Sequence, residues 1–250
     1  MIKFPIKNRF SGKVHFEAEI YCDEDAERSL KIGLAVRWGL ENQADLRNAD
    51  LRNTNLRNAD LRGADLRHAD LWEADLRHAD LREADLRHAD LMGADLRGAN
   101  LRGANLQHAD LRHANLRHAN LLGADLLGAD LREADLRNTD LQHADLRNTN
   151  LRNADLLGAD LRNADLREAD LRHANLIIGG GDQRGYQFLL QFDKDDEVVI
   201  YKAGCKSWQS ITEARAYYDE NYEGDGDKED CIEILNSLHR RAVLRGWERV

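Results

Sequence analysis

The sequence predicts an all-β solenoid that turns a corner every five residues. Three observations carry this. Leucine recurs at a spacing of five from Leu46 to Leu176, twenty-seven times without a slip. An alanine stands two positions before almost every one of them, replaced only by Thr54, Thr139 and Thr149. Between the two comes a short polar residue, Asp in twenty repeats and Asn in seven. A period of five fits neither a helix nor a straight strand. Leucines at that spacing would wander around a helix and would alternate faces along a strand. A chain that bends once per unit keeps Ala and Leu inward, sends the Asp or Asn outward, and leaves two residues for the turn. Short side chains that hydrogen-bond local backbone suit so many turns.

Elements outside the repeats read as ends. A solenoid leaves an apolar cross-section that something must cover. Residues 1–43 supply an N-terminal strand–helix cap. Lys13–Ile20 alternates apolar and charged residues and predicts a strand. A helix is expected over about 24–41, opened by Asp23, Glu24 and Asp25, with Leu30, Leu34 and Trp38 facing the first coil. Residues 44–178 form the repeat. After Gly179-Gly180-Gly181, residues 179–250 form a small C-terminal ββαα module: strands over 186–192 and 197–203, a helix opened by the capping box Ser210–Glu213, and a second helix over about 228–245. Seventy residues are few for an independent core, so this module is expected to dock on the rod.

The A-(D/N)-L-x-x unit of residues 44–178 resembles the pentapeptide-repeat family. The resemblance implies a right-handed quadrilateral β-helix, four repeats to a 20-residue coil, with positions 20 apart stacked. Some members of that family resemble B-form DNA in shape and acidity and bind DNA gyrase, which makes a DNA-mimicking modulator of gyrase or another DNA-binding protein one functional expectation. The layout also resembles bacterial and prophage proteins.

Charge weighs on that expectation. The whole chain carries −10. Within the repeats, twenty Asp and four Glu face nineteen Arg, leaving −5. Arginine follows the Leu in nineteen repeats and nearly cancels the aspartates, so the surface should be mixed rather than continuously negative. No basic patch supports direct nucleic-acid binding. Three cysteines, at 22, 205 and 231, make neither a disulfide framework nor a cysteine zinc site. Absence of a leader or apolar span predicts a cytoplasmic protein.

The breaks in the arginine column mark candidate contact sites: Trp72 with Met92, Leu122 with Leu127, and Leu157 with Ile177, the last two expected beneath the C-terminal module. Eight histidines hold the repeat's last position, and His68, His88 and His108 should stack on one corner, a candidate zinc or nickel column. The acidic stretch 219–230 places Asp219, Asn221, Glu223, Asp227 and Asp230 at EF-hand ligand positions for calcium, with an Asp where the final Glu is usual. Either would make a metal-responsive binding protein. No phosphate-cradling loop and no nucleophile–base pair is present, so neither catalysis nor a cofactor is expected. The leading expectation is a non-enzymatic scaffold whose partner is another protein or a second copy of itself.

Overall fold

A computed structural model describes residues 1–181, 187–193, 198–203, 206–221 and 225–245. The chain divides into two compact units. The first comprises residues 1–155 and 159–172; the second, residues 156–158 and 173–250. The N-terminal elements thus group with the repeats.

The repeats wind into a β-helix. Parallel bridges join residues 20 apart without interruption, from Asp50 with Asp70 to Asn150 with Asp170. From Leu51 to Leu151 each repeat leucine N–H donates to the carbonyl 19 residues on, as Leu51 does to Asp70 at 2.8 Å. Four five-residue units therefore make one coil, as the spacing required. Leu51–Leu156 are at most 1% exposed, and the alanines between them almost equally buried. The three threonines that replace alanine are buried too, and their hydroxyls donate to backbone carbonyls: Thr54 to Ser29 at 3.5 Å, Thr139 to Leu116 at 2.9 Å and Thr149 to Leu146 at 2.6 Å.

Ahead of the coils, β1 (Ile2–Lys7) and β2 (Val14–Ile20) form an antiparallel hairpin with a register slip at Ile6/Lys7. Its loop is closed by the Asn8 carboxamide, which accepts from the Phe10 and Ser11 N–H groups at 3.1 and 3.0 Å. The hairpin joins the first coil through backbone: Asp50 N–H donates to Lys7 at 2.8 Å, and Arg9 N–H to Asn48 at 2.7 Å. β1 went unread in the sequence because it is short and contains Pro5; a two-stranded edge tolerates a residue without an N–H.

The helix α1 spans Arg28–Glu41. It begins later than the sequence predicts, and Asp23–Asp25 precede it. Its inward face differs as well. Ile32, Gly33, Ala35, Val36 and Gly39 are buried, whereas Leu30 is 44% exposed and Leu34 and Trp38 are only half-buried. The small residues explain the rotation. A Cβ at Gly33 would run into the Asn55 carbonyl oxygen, so the helix approaches the coil along its glycine side, closer than a leucine side would permit.

In the second unit, β3 (Leu176–Gly181), β4 (Gln187–Asp193), β5 (Val198–Ala203) and β6 (Lys206–Trp208) form an antiparallel sheet in that order. α2 (Ile211–Asn221) and α3 (Asp225–Leu244) follow. Leu190, Tyr201, Ala214, Cys231, Leu235, Leu238 and Ala242 make the core. The Tyr201 hydroxyl meets His239 Nδ1 at 2.8 Å. Gln191, fully buried, receives the Gly158 N–H at 3.1 Å and donates to the Leu156 carbonyl at 2.7 Å. The strands predicted over 186–192 and 197–203 correspond to β4 and β5; β3 and β6 were not anticipated. At the α2 entrance Ser210 Oγ accepts from Glu213 N–H at 3.1 Å, and the Glu213 carboxylate turns back to Gln209 N–H at 3.1 Å.

Among the described residues no helix is long and apolar enough to cross a membrane.

Candidate interaction surface

The outer surface is set by one turn repeated at every corner. The last residue of each repeat, from Asn48 to His173, has positive φ, between 52° and 74°. The residue before it does not, and the next Ala N–H donates back to the Leu carbonyl, as Ala69 does to Leu66 at 3.0 Å. This is a type II turn, which demands a left-handed residue at its third position. Gly and Asn adopt that conformation readily, and His is enriched in it. The eight corner histidines are explained by backbone geometry before any chemistry is invoked. Four glutamates, Glu73, Glu83, Glu133 and Glu168, hold the same conformation.

Next to the corner, the charged side chains neutralise each other inside the repeat. Along the repeats an Asp Oδ1 accepts the N–H two residues on, and where that residue is arginine its side chain folds back onto the same carboxylate. Arg67 donates from Nε to Asp65 Oδ1 at 2.8 Å and from Nη2 to Oδ2 at 2.6 Å. This fork is the strong, directional form of an ion pair. Arg67 also lies 3.6 Å from Asp85 on the next coil, which links the forks into a ladder. Hydrogen bonding from arginine is the largest cause of the depressed carboxyls of Asp45, Asp60 and Asp170, each lowered to about 2.

The ladder is interrupted where the arginine is replaced. At Trp72 and Met92 the carboxylates of Asp70 and Asp90 have no fork of their own. Arg9 of the hairpin loop reaches them instead, 3.9 Å from Asp70 and 3.4 Å from Asp90, while donating to the Ala69 carbonyl at 3.1 Å. Burial pushes the Asp70 carboxyl up despite this cation. Trp72 and Met92 are half-buried rather than bare.

A second interruption centres on Leu122 and Leu127, both half-buried, on consecutive faces of one coil. Their own corners are Gly123 and Gly128, which carry no side chain, although the His108 ring lies against Gly128. Asp125 has no arginine fork; it accepts from the Gln107 side-chain amide at 2.5 Å and from the Leu127 N–H at 3.1 Å. Asp140 has no cationic partner among the described residues; Gln142 N–H donates to it at 3.0 Å. Arg102 lies between Asn100 and Asn120 and has no carboxylate partner among the described residues. Leu157 is half-buried and falls in the second unit. Ile177 pairs with Leu190 in β3, and its side chain lies outside the described residues.

Neither metal candidate is assembled among the described residues. His68, His88 and His108 do stack, with ring centroids 4.8 and 5.2 Å apart and planes within 4° and 13°. Parallel rings hold their nitrogens side by side, so the lone pairs cannot converge on one ion about 2.1 Å away. No group of three ligating side chains among the described residues could hold a metal. In the acidic stretch, Asp219 and Asn221 belong to α2, and Asp227 and Asp230 to α3; Glu223 lies outside the described residues. An EF-hand loop needs twelve residues that leave the helix, and here nine of the twelve are helical.

Comparison with known proteins agrees with the architecture. The model of the pentapeptide-repeat family matches in eight copies that together span residues 44–176. Among solved structures the chain is similar to HetL, a pentapeptide-repeat protein involved in heterocyst differentiation regulation from the cyanobacterium Nostoc sp. strain PCC 7120. Identity is 33%, over 53% of this chain and 82% of that one, with a TM-score of 0.26. It is similar to Rfr23 from the cyanobacterium Cyanothece 51142 at 36% identity, over 40% of this chain and 62% of that one, with a TM-score of 0.26. A trypsin-treated form of QnrB1, a plasmid-mediated fluoroquinolone resistance protein, matches at 24% identity over 49% of this chain and 67% of that one, with a TM-score of 0.25. No curated protein matches. With more than half its length covered by the family model and the same five-residue unit winding its β-helix, the chain belongs to the pentapeptide-repeat family.

Proposed function

We propose that the protein is a non-enzymatic scaffold that binds another protein through the interruptions in its charged ladder. The rod is taken as the right-handed quadrilateral coil of its family, capped by β1, β2 and α1. One observation supports the reading above others. Most aspartates of the coils are forked by their own arginine, so those surfaces offer a partner little unspent charge; Leu122, Leu127 and the unforked Asp125 and Asp140 differ. Apolar area beside unforked charge is where binding energy concentrates. The interior, filled by leucine and alanine, leaves no space for a substrate.

The same forks argue against DNA mimicry, because a guanidinium covers most of the aspartates that would stand for phosphates. A supercoiling assay with DNA gyrase at micromolar protein is expected to show neither inhibition nor protection.

The scaffold reading is tested with a photo-cross-linking residue at Leu127 in the full chain, with Arg67 of the same column as the control site. A discrete adduct at Leu127 that is absent at Arg67, and is lost on Asp125→Arg on the same face, supports it. Equal adducts at both sites, or none in extracts of the source cells, removes it.

A further inference from the structure

The geometry points to a two-fold, antiparallel dimer formed by the face that carries Arg102, Leu122 and Asp140. These three residues are 20 and 18 apart in sequence and lie on consecutive coils of one face, whose strands pair Asn100 with Asn120 and Asn120 with Asp140. Among the described residues the face therefore reads, along the rod, a cation without a carboxylate partner, an apolar side chain, and an anion without a cationic partner. Arg102 is exposed and lies between two asparagines, where every neighbouring Arg of its column has an aspartate. Asp140 has Gln142 where its arginine would be. The two charges sit one coil to either side of Leu122, roughly 10 Å apart at the usual inter-strand spacing.

A pattern of plus, apolar, minus is complementary to itself under one operation only, a half-turn about an axis through its centre and perpendicular to the rod. That rotation sets Leu122 against Leu122 of a second copy and brings each Arg102 to the other copy's Asp140. This is the self-matching geometry of an isologous interface. Close approach is permitted beside Arg102 and Leu122, whose own corners are Gly103 and Gly123. A Cβ at Gly123 would meet nothing within 4 Å, and one at Gly103 only the Glu83 side chain at 3.7 Å. Translation of one copy along the other, or a parallel alignment, would leave like charges opposed.

The inference deepens the scaffold reading by naming the occupant of one face, a second copy of the chain. It is decided separately, since Leu127 stands on the adjoining face.

Sedimentation of the full chain, with circular dichroism to confirm the coil, tests it. The wild type is expected to dimerise. Arg102→Asp and Asp140→Arg are each expected to weaken the dimer by about tenfold or more, and the double reversal to restore it to within about threefold, as a direct charge pair requires. Recovery in the double variant cannot come from misfolding. Mild oxidation should link Leu122→Cys into a covalent dimer, with Leu127→Cys left unlinked. A wild type that stays monomeric at about 100 µM, beyond the reach of a standard-size interface, overturns the proposal. So does a double reversal no tighter than the single variants, or linkage at 127 in place of 122.

Discussion

Arg9 and Asp90 are 81 residues apart in sequence and 3.4 Å apart in the fold. The contact carries a charge from the N-terminal hairpin to the spot where the ladder has lost two arginines. Removal of it should be felt. Arg9→Ala leaves Asp70 and Asp90 facing each other on adjacent coils without a cation of the hairpin between them, and a loss of about 1–3 kcal/mol is expected from hydrogen bonds to charged groups at a partly buried site. Trp72→Arg in the Arg9→Ala background restores a fork on Asp70 and should recover part of the loss. Urea denaturation midpoints of the single and double variants check both statements.

The corner turns make a contrast between two glycines. Gly123 and Gly128 have nearly the same φ, 65° and 66°. A Cβ at Gly128 would lie 2.6 Å from His108 Nδ1, and one at Gly123 would meet nothing. Gly123→Ala should lose about 1–2 kcal/mol for the left-handed backbone alone. Gly128→Ala should lose more, and His108→Asn should return it to the Gly123→Ala value. Gly123→Asn should be tolerated best. Thermal midpoints of the four variants order these outcomes.

Gly33 tests the seating of α1. Gly33→Ala directs its methyl group into the Asn55 carbonyl oxygen, which is backbone and cannot rotate away. The helix must lift from the coil, and overpacking of this kind costs about 1–3 kcal/mol. Loss of hydrogen-exchange protection over 28–41, with the amides of the central coils unchanged, is the expected signature.

Acid should act on the ladder late. Asp45, Asp60 and Asp170 are held at about 2 by their arginines, below the ordinary 3.8. A depressed carboxyl adds stability that is complete above its unfolded value and disappears as pH falls through the folded one. The ladder's share is therefore whole at pH 4 and lost toward pH 2. Carboxyl carbon titration by NMR should show Asp170 among the last to protonate, and Arg172→Gln should move it up toward 3.8.

His88 titrates the other way. Burial, then the neighbouring His68 and His108, lower its pKa below 6.5; Arg87 acts in the same direction and Asp85 against it. A lowered histidine favours the fold when neutral, so stability falls as pH drops below the ordinary value. His108→Asn should raise the His88 midpoint in a proton NMR titration.

Much of the rod was legible because its signal is arithmetic. A leucine every five residues admits one kind of backbone, and the bridges at 20 follow from it. The left-handed corner was also written in the sequence, since Asn, Gly and His share little except tolerance of that conformation. Reading the histidines as ligands hid it. What escaped depends on contacts distant in sequence. No local pattern ties Arg9 to Asp70 and Asp90, and no hydrophobic periodicity announces that α1 seats on Gly33 rather than Leu34. The acidic run 219–230 misled because ligand spacing was legible while the helix ends were not.

The interior is the same at every step, so it cannot count. Excision of a single five-residue unit would keep leucine on leucine and alanine on alanine, yet shift each later side chain to the neighbouring face and scramble every external column. Excision of twenty would shorten the rod and preserve them all. Genetic drift in repeat number is therefore invisible to stability and conspicuous to recognition, and only whole-coil changes in length leave the outside text readable.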